Sequence, residues 1–133
     1  MRAEALRNAR AQVRVACYRR RAGRWLAVSR RTGLPVGWVE LATLGAGPGA
    51  GLQIGYAIAP RDCRRGYATE AAARILEYAL ADLRADCVSA VVRAENAGSL
   101  RVLEKLGFQR VGRRRDDAGV VCEEYCVRRA PHC

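Results

Sequence analysis

The chain has 133 residues, 24 Lys and Arg against 13 Asp and Glu, a formal charge of +11, and a hydrophobic content of 50%. That length suits one domain able to bury a core, and the apolar half argues against disorder. No run approaches the roughly 20 apolar residues that span a bilayer, and the opening MRAEALRNARAQVR lacks the apolar region of a secretory signal, so a cytoplasmic protein with no membrane partner is expected.

Residues 3–21, rich in Ala and Arg, read as a helix with a weak apolar face through Leu6, Val13 and Cys17. GRWLAVSRRTG then reads as a strand closing on a turn at Thr32-Gly33, and LPVGWVELATL as its hairpin partner. GAGPGAG, Gly45 to Gly51, breaks the chain; it lacks the G-x-G-x-x-G spacing and leads into a strand, so it reads as a flexible hairpin loop rather than a dinucleotide loop. LQIGYAIAP is a strand ending at Pro60. From Ala68 to Arg84, Ala72, Ile75, Leu76, Ala79, Leu80 and Leu83 recur at helical spacing and make one apolar stripe. CVSAVVRA has the continuous apolar character of a strand buried on both faces. Asn96 caps a short helix running to Leu106, and Gly107 stops it. FQRVGRRRDDAGVVCEEYCVRR reads as two strands about a turn at Asp117–Gly119. The order α-β-β-β-α-β-α-β-β predicts an α/β fold, one domain over residues 1–133 on a mixed sheet.

Two places in this order carry chemistry. RDCRRGYATEA puts Arg61, Arg64, Arg65 and Gly66 immediately before a helix. The first amides of a helix lack internal partners and its dipole is positive there, so an anion fits, and arginines can clamp phosphate oxygens. A solvated basic loop is the competing reading. Glu95 to Phe108, ENAGSLRVLEKLGF, sets Asn96 and Ser99 at the mouth of the next helix. Ser99 can also be read as a first-turn residue that hydrogen-bonds backbone.

Together the two cassettes resemble the GNAT superfamily of acetyl-coenzyme A-dependent N-acetyltransferases, and most closely its ribosomal-protein-alanine, or Rim-type, branch. IGYAIAPRDCRRGYATEA resembles the branch's fourth strand and pyrophosphate loop, NAGSLRVLEKLGF its N-x-x-S…E-K-x-G-F signature, and RTGLPVGWVEL the preceding hairpin. The resemblance runs from about residue 10 to the end. It implies a mixed, mostly antiparallel sheet flanked by helices, with coenzyme lying between two parallel strands that end near Pro60 and Arg93. The coenzyme arm would pair with backbone at Ile58, Ala59 and Pro60. The pyrophosphate would rest on Arg64, Arg65, Gly66, Tyr67, Ala68 and Thr69, with Asn96 and Ser99 against the arm. An amine, from a protein N-terminus or a small molecule, would attack the thioester directly. Ser99 would protonate the leaving thiolate, a backbone N–H near Ile58 would stabilise the oxyanion, and no metal is implied.

This sequence departs from the pattern in four places. Cys63 and Arg64 stand where the loop usually has Gln, Arg or a bulky residue followed by Gly; Leu103 replaces a tyrosine acid; Gln53 replaces a frequent acidic residue; and the family's first strand and first helix have no evident counterpart, as if the N-terminus were shortened. A missing first strand would leave the strand from Trp25 to Arg30 with an open edge, which favours a homodimer or marginal stability. Glu40 is a candidate general base, against the reading of an outward strand carboxylate; Glu95 and Glu123 have lesser claims. Tyr67 and Phe108 read as packing residues. Of the 24 basic residues 23 are Arg, and residues 1–31 hold ten of them against one Glu. Clusters at Arg19–Arg21, Arg30–Arg31 and Arg113–Arg115 suit a polyanion, but no aromatics interleave with them, so nucleic-acid binding is the lesser alternative. The six cysteines lack metal-site spacing and read as free thiols.

Overall fold

Alternating apolar and polar residues build a sheet whose inner face is closed by one alanine-rich helix. The computed structural model describes residues 13–17, 23–44 and 51–129, the first stretch by its backbone alone. In β2 (Gly23–Ser29) Trp25 and Ala27 are buried while Arg24 and Leu26 face outward. β3 (Pro35–Leu44) repeats the pattern through Val39 and Leu41, and β4 (Gly51–Ile58) through Leu52 and Ile54. Period-two burial of this kind marks strands with one face on the core. The β2–β3 turn is tied by Gly33 N–H to the Ser29 carbonyl at 2.8 Å and Ser29 N–H to the Leu34 carbonyl at 3.0 Å.

With β1 (Val13–Cys17), β5 (Cys87–Arg93), β6 (Gln109–Arg115) and β7 (Val121–Arg128), the strands form one seven-stranded sheet in the order β1-β2-β3-β4-β5-β7-β6. Every pairing is antiparallel except β4 with β5. Helix α1 (Tyr67–Glu77) continues into a wider π turn over Tyr78–Asp82 and lies across β4, β3 and β1. Ala71, Ala72, Ala73 and Ala79 are buried; small side chains let neighbouring elements approach the helix closely, while Ile75 and Leu76 supply larger hydrophobic contact. Trp25 stacks edge-on against Tyr78 with centroids 5.7 Å apart. Helix α2 (Ala97–Lys105) adds Leu103, followed by Leu106 and Phe108, to the same core. Each fully buried leucine contributes about 1.5–3 kcal/mol relative to exposure.

Three expectations are corrected. Residues 13–17 are strand, not helix, and the rest of the expected 3–21 helix lies outside the described residues. β1 pairs with β2 from Val13↔Ser29 to Cys17↔Trp25. The edge expected to be open is therefore covered, and the argument for a homodimer at that edge loses its premise. β5 is not buried on both faces: Val88 and Ala90 are buried, whereas Ser89 and Val91 are only partly so. The Gly45–Gly51 loop falls outside the described residues except at Gly51, where β4 begins.

Candidate functional site

The site begins where two parallel strands part. β4 and β5 pair only at Leu52↔Val88 and Gln53↔Ser89. Beyond that, β4 stays with β3 as far as Gly37↔Ile58 and β5 stays with β7 as far as Arg93↔Cys122. Each strand is held by its outer neighbour while the inner edges diverge into a V. Ala59 N–H donates to the Val36 carbonyl at 2.8 Å. Backbone groups alternate sides along a strand, so the N–H of Ile58 points away from β3 and into the V. Gly37 makes the close β3–β4 approach possible there: a Cβ on it would stand 2.9 Å from Ile58 Cα and 2.8 Å from Ile58 Cδ1, and would strike the Ala57 carbonyl oxygen.

From the end of β4 the chain makes a single 3-10 turn, Pro60–Asp62, and then a tight loop into α1. Arg64 has φ 64° and Gly66 φ 83°, both left-handed. Gly66 is the N-cap, and no side chain caps the helix. Its carbonyl accepts from Glu70 N–H at 3.0 Å, while the amides of Tyr67, Ala68 and Thr69 stand ahead of the first helical bond. The Tyr67 side chain does not reach outward: it is buried, with its hydroxyl 3.4 Å from Ser29 Oγ. A cavity of about 910 Å³ opens in front of this turn, and Ile58, Cys63, Arg64, Gly66, Tyr67, Ala68 and Thr69 line it with Arg101, Val102 and Lys105 of α2. Ala59, Pro60 and Arg65, expected on the resemblance to contact coenzyme, are not among its lining residues.

Across the V, Asn96 Oδ1 accepts the Ser99 N–H at 3.1 Å, the capping bond expected from the sequence. Ser99 Oγ donates to the Tyr56 hydroxyl at 3.2 Å, and that hydroxyl donates to the Ser99 carbonyl, also at 3.2 Å. Burial raises the Tyr56 phenol above its ordinary range, and the bond to Ser99 opposes that rise in part. A second cavity, about 500 Å³, lies on the sheet side and is lined by Trp38, Gly55, Val91, Arg93 and Glu95 among others. Tyr56, Asn96 and Ser99 line both cavities.

Other candidate residues are placed elsewhere. Glu40 lies outside both linings and is ion-paired to Arg24 at 2.8 Å; Arg24 in turn covers the Trp38 ring at 4.4 Å. An exposed pair of this kind contributes at most about 1 kcal/mol. Glu123 is buried between Arg110 and Arg113 of β6, with Arg113 Nε at 2.6 Å. Those guanidiniums hold its carboxyl below the usual range, so it is a structural ion-pair centre. Leu103 is fully buried and carries no polar group to the site. Arg113 is committed to Glu123 and Arg115 to the Gly119 carbonyl at 2.7 Å, leaving less of that run for a polyanion. Among the described residues no group of three or more His, Cys, Asp or Glu could hold a metal, and no helix is long and apolar enough to cross a membrane. His132 and the Arg19–Arg21 cluster lie outside the described residues.

Tyr56, Arg101 and Lys105 were not singled out by the sequence. Tyr56 had one available signal: it shares a strand face with Ile54 and Ile58, at the point where β4 leaves β5.

The description "Acetyltransferase (GNAT) domain" matches residues 2–109. The Bacillus subtilis protein described as an uncharacterised N-acetyltransferase, YoaA, is 38% identical over 60 residues, which cover 45% of this chain and 34% of that protein. An acetyltransferase of the GNAT family from Bacillus anthracis superposes with a TM-score of 0.71 at 22% identity, covering 80% of this chain and 66% of that one. The ribosomal-protein-S5-alanine acetyltransferase from Vibrio fischeri gives a TM-score of 0.74 at 17% identity, covering 81% and 62%. The chain thus spans about a third of the first curated relative and just under two thirds of the first structural one. The family match over most of the sequence, on a fold shared with these enzymes, shows that this chain belongs to the GNAT acetyltransferase family.

Proposed function

We propose that residues 1–133 form one cytoplasmic domain that transfers an acetyl group from acetyl-coenzyme A to a primary amine, on a protein N-terminus or a small molecule. The observation that carries this reading is the V between β4 and β5, flanked by the uncapped start of α1 and by the Tyr56–Ser99 pair at the junction of two cavities. The residues present fit the coenzyme: unsatisfied strand backbone for an amide-containing arm, amides of a helix start for a pyrophosphate, and the cationic side chains of Arg64, Arg101 and Lys105 in the same cavity. When bound, acetyl-coenzyme A supplies the thioester carbonyl that the amine attacks.

The Ile58 N–H, directed into the V, offers a preorganised donor for negative charge developing on the carbonyl oxygen. Tyr67, Ala68 and Thr69 contribute backbone amides, with Gly66 permitting close approach. Ser99 supplies a hydroxyl where the two cavities meet and is assigned the proton given to the departing sulfur; Asn96 holds the turn that carries it. For the base, Glu95 lines the sheet-side cavity whereas Glu40 does not, so Glu95 is assigned to accept the amine proton, directly or through water. The Vibrio fischeri protein's name gives an alanine of ribosomal protein S5 as acceptor, and alanine-initiated peptides are therefore the first acceptors to test, beside small primary amines. Mass spectrometry of such a mixture with acetyl-coenzyme A should show an acetylated amine that disappears when the enzyme is omitted. Stoichiometric coenzyme binding with no acetylated product would reduce the reading to a non-catalytic coenzyme-binding domain.

A further inference from the structure

Tyr56 reaches from the β4 side of the V to the first turn of α2, and its hydroxyl makes two bonds to one residue, accepting from Ser99 Oγ and donating to the Ser99 carbonyl, both at 3.2 Å. A single bond would leave Ser99 free to rotate. Two opposed bonds fix both the backbone of the turn and the side-chain rotamer. The carbonyl involved belongs to the helix's first turn, and the same residue's N–H is held by Asn96 at 3.1 Å. Ser99 is thereby restrained at its amide, its carbonyl and its hydroxyl.

The three residues of this arrangement, Tyr56, Asn96 and Ser99, line the loop-side and the sheet-side cavity alike. The two cavities adjoin at this point. No ladder bond joins β4 to β5 there, since their pairing stops at Gln53↔Ser89. The cross-link from Tyr56 to α2 thus spans the V where backbone pairing no longer does.

We propose that Tyr56 is a positioning residue for acetyl transfer: it holds the Ser99 hydroxyl at the junction of the cavities and braces the first turn of α2 against β4. The inference rests on the transferase reading above. At rest the Ser99 proton is directed to the Tyr56 oxygen, so the Ser99 oxygen, rather than its proton, is what the empty half of its coordination presents to the cavities. With the amine nitrogen bonded to the carbonyl carbon, the carbon–sulfur electron pair would leave with sulfur; Ser99 would turn its O–H from Tyr56 to that sulfur, and the proton Glu95 takes from the amine would return through water to the Ser99 oxygen, so that one proton passes from nitrogen to sulfur. Tyr56 keeps its own proton throughout, which its buried surroundings favour. Its contribution is geometric.

The test uses Tyr56→Phe, which keeps the ring and removes only the hydroxyl, together with Ser99→Ala and the double variant. Steady-state release of coenzyme thiol is measured with alanine-initiated peptides and small primary amines as acceptors, and acetyl-coenzyme A affinity by calorimetry. Tyr56→Phe is expected to lower kcat at least tenfold while coenzyme Kd stays within about twofold. The double variant is expected to be no slower than the slower single one, because residues acting as a unit are not additive. Amide hydrogen exchange at Ser99 and Leu100 should quicken in Tyr56→Phe with the rest of the sheet unchanged, a readout that stands if kinetic losses arise from misfolding. Wild-type kcat in Tyr56→Phe, or losses that multiply in the double variant, would overturn the proposal alone. Wild-type protein that binds coenzyme but releases no thiol with these amines would overturn the transferase reading and this inference with it.

Discussion

Arg64 at φ 64° and Gly66 at φ 83° set two left-handed residues in the loop that leads into α1. A left-handed conformation costs a non-glycine residue about 1–2 kcal/mol, and such strain gathers at ligand clamps. Arg64→Gly is therefore expected to be more stable to urea unfolding than Arg64→Ala by about 1 kcal/mol, while both weaken acetyl-coenzyme A binding by about 1.5–3 kcal/mol if the guanidinium makes a charge-assisted bond. Equal affinity in wild type and both variants would reduce the loop to a solvated turn. Gly66→Val places a β-branched side chain at positive φ and is expected to abolish binding in the same titration. For the base, Glu95→Gln should lower kcat/KM by about 100-fold or more and Glu40→Gln should leave it near wild type; the reverse pattern would return the base to Glu40. The Asn96 cap was legible because its partner is three positions away. The Tyr56–Ser99 pair was not, because 43 positions separate the two residues and only the meeting of β4 with α2 brings them together.

Among the elements, those with strong local periodicity matched expectation. The β2–β3 hairpin, the α1 stripe and the β6–β7 pair all carry their own signal in spacing and turn residues. β1 was misread because Ala and Arg favour helix in isolation, whereas the waiting edge of β2 offers five residues of antiparallel pairing, a tertiary gain no local window contains. β5 was misread because a continuous apolar run does not say whether its second face is covered. Two elements yield direct tests. Gly37→Ala sets a Cβ 2.9 Å from Ile58 Cα and into the Ala57 carbonyl. It should part β3 from β4, lower stability by about 1–3 kcal/mol, and weaken coenzyme binding at the strand that would receive its arm; unchanged unfolding and unchanged affinity would show that the sheet yields there freely. At the far edge, the Glu123 carboxyl is held below its ordinary range by hydrogen bonds from Arg113 and Arg110. A depressed carboxylate contributes stability above its unfolded-state pKa and loses it as pH falls through the folded value. Unfolding midpoints should therefore drop on acidification below the ordinary carboxylate range, and Glu123→Gln should flatten that drop while lowering stability at neutral pH.

For the molecule as a whole, the fold class and the order of the two strand–loop–helix cassettes were readable because each cassette is a local unit. What the sequence left open was how the units face one another: which carboxylate lines a cavity, which arginines are committed to partners, and which residues stand at the crossing. Net charge was the least informative of the global quantities. Of the described runs that suggested a polyanion, Arg113 and Arg115 are engaged within the protein and Arg30 and Arg31 are exposed, whereas Arg64, Arg101 and Lys105 line a single cavity beside a helix start, together with Asp62. That distribution suits one compact anion better than an extended backbone. The most direct test is a thermal melt of the wild-type chain with saturating acetyl-coenzyme A and, separately, with RNA or DNA at the same ionic strength. A ligand that binds only the folded state at 100 times its Kd adds about 2.7 kcal/mol, so the account predicts a rise of several degrees with acetyl-coenzyme A, which Gly66→Val loses, and none with nucleic acid. A melting temperature unmoved by the coenzyme and raised by RNA or DNA would contradict it.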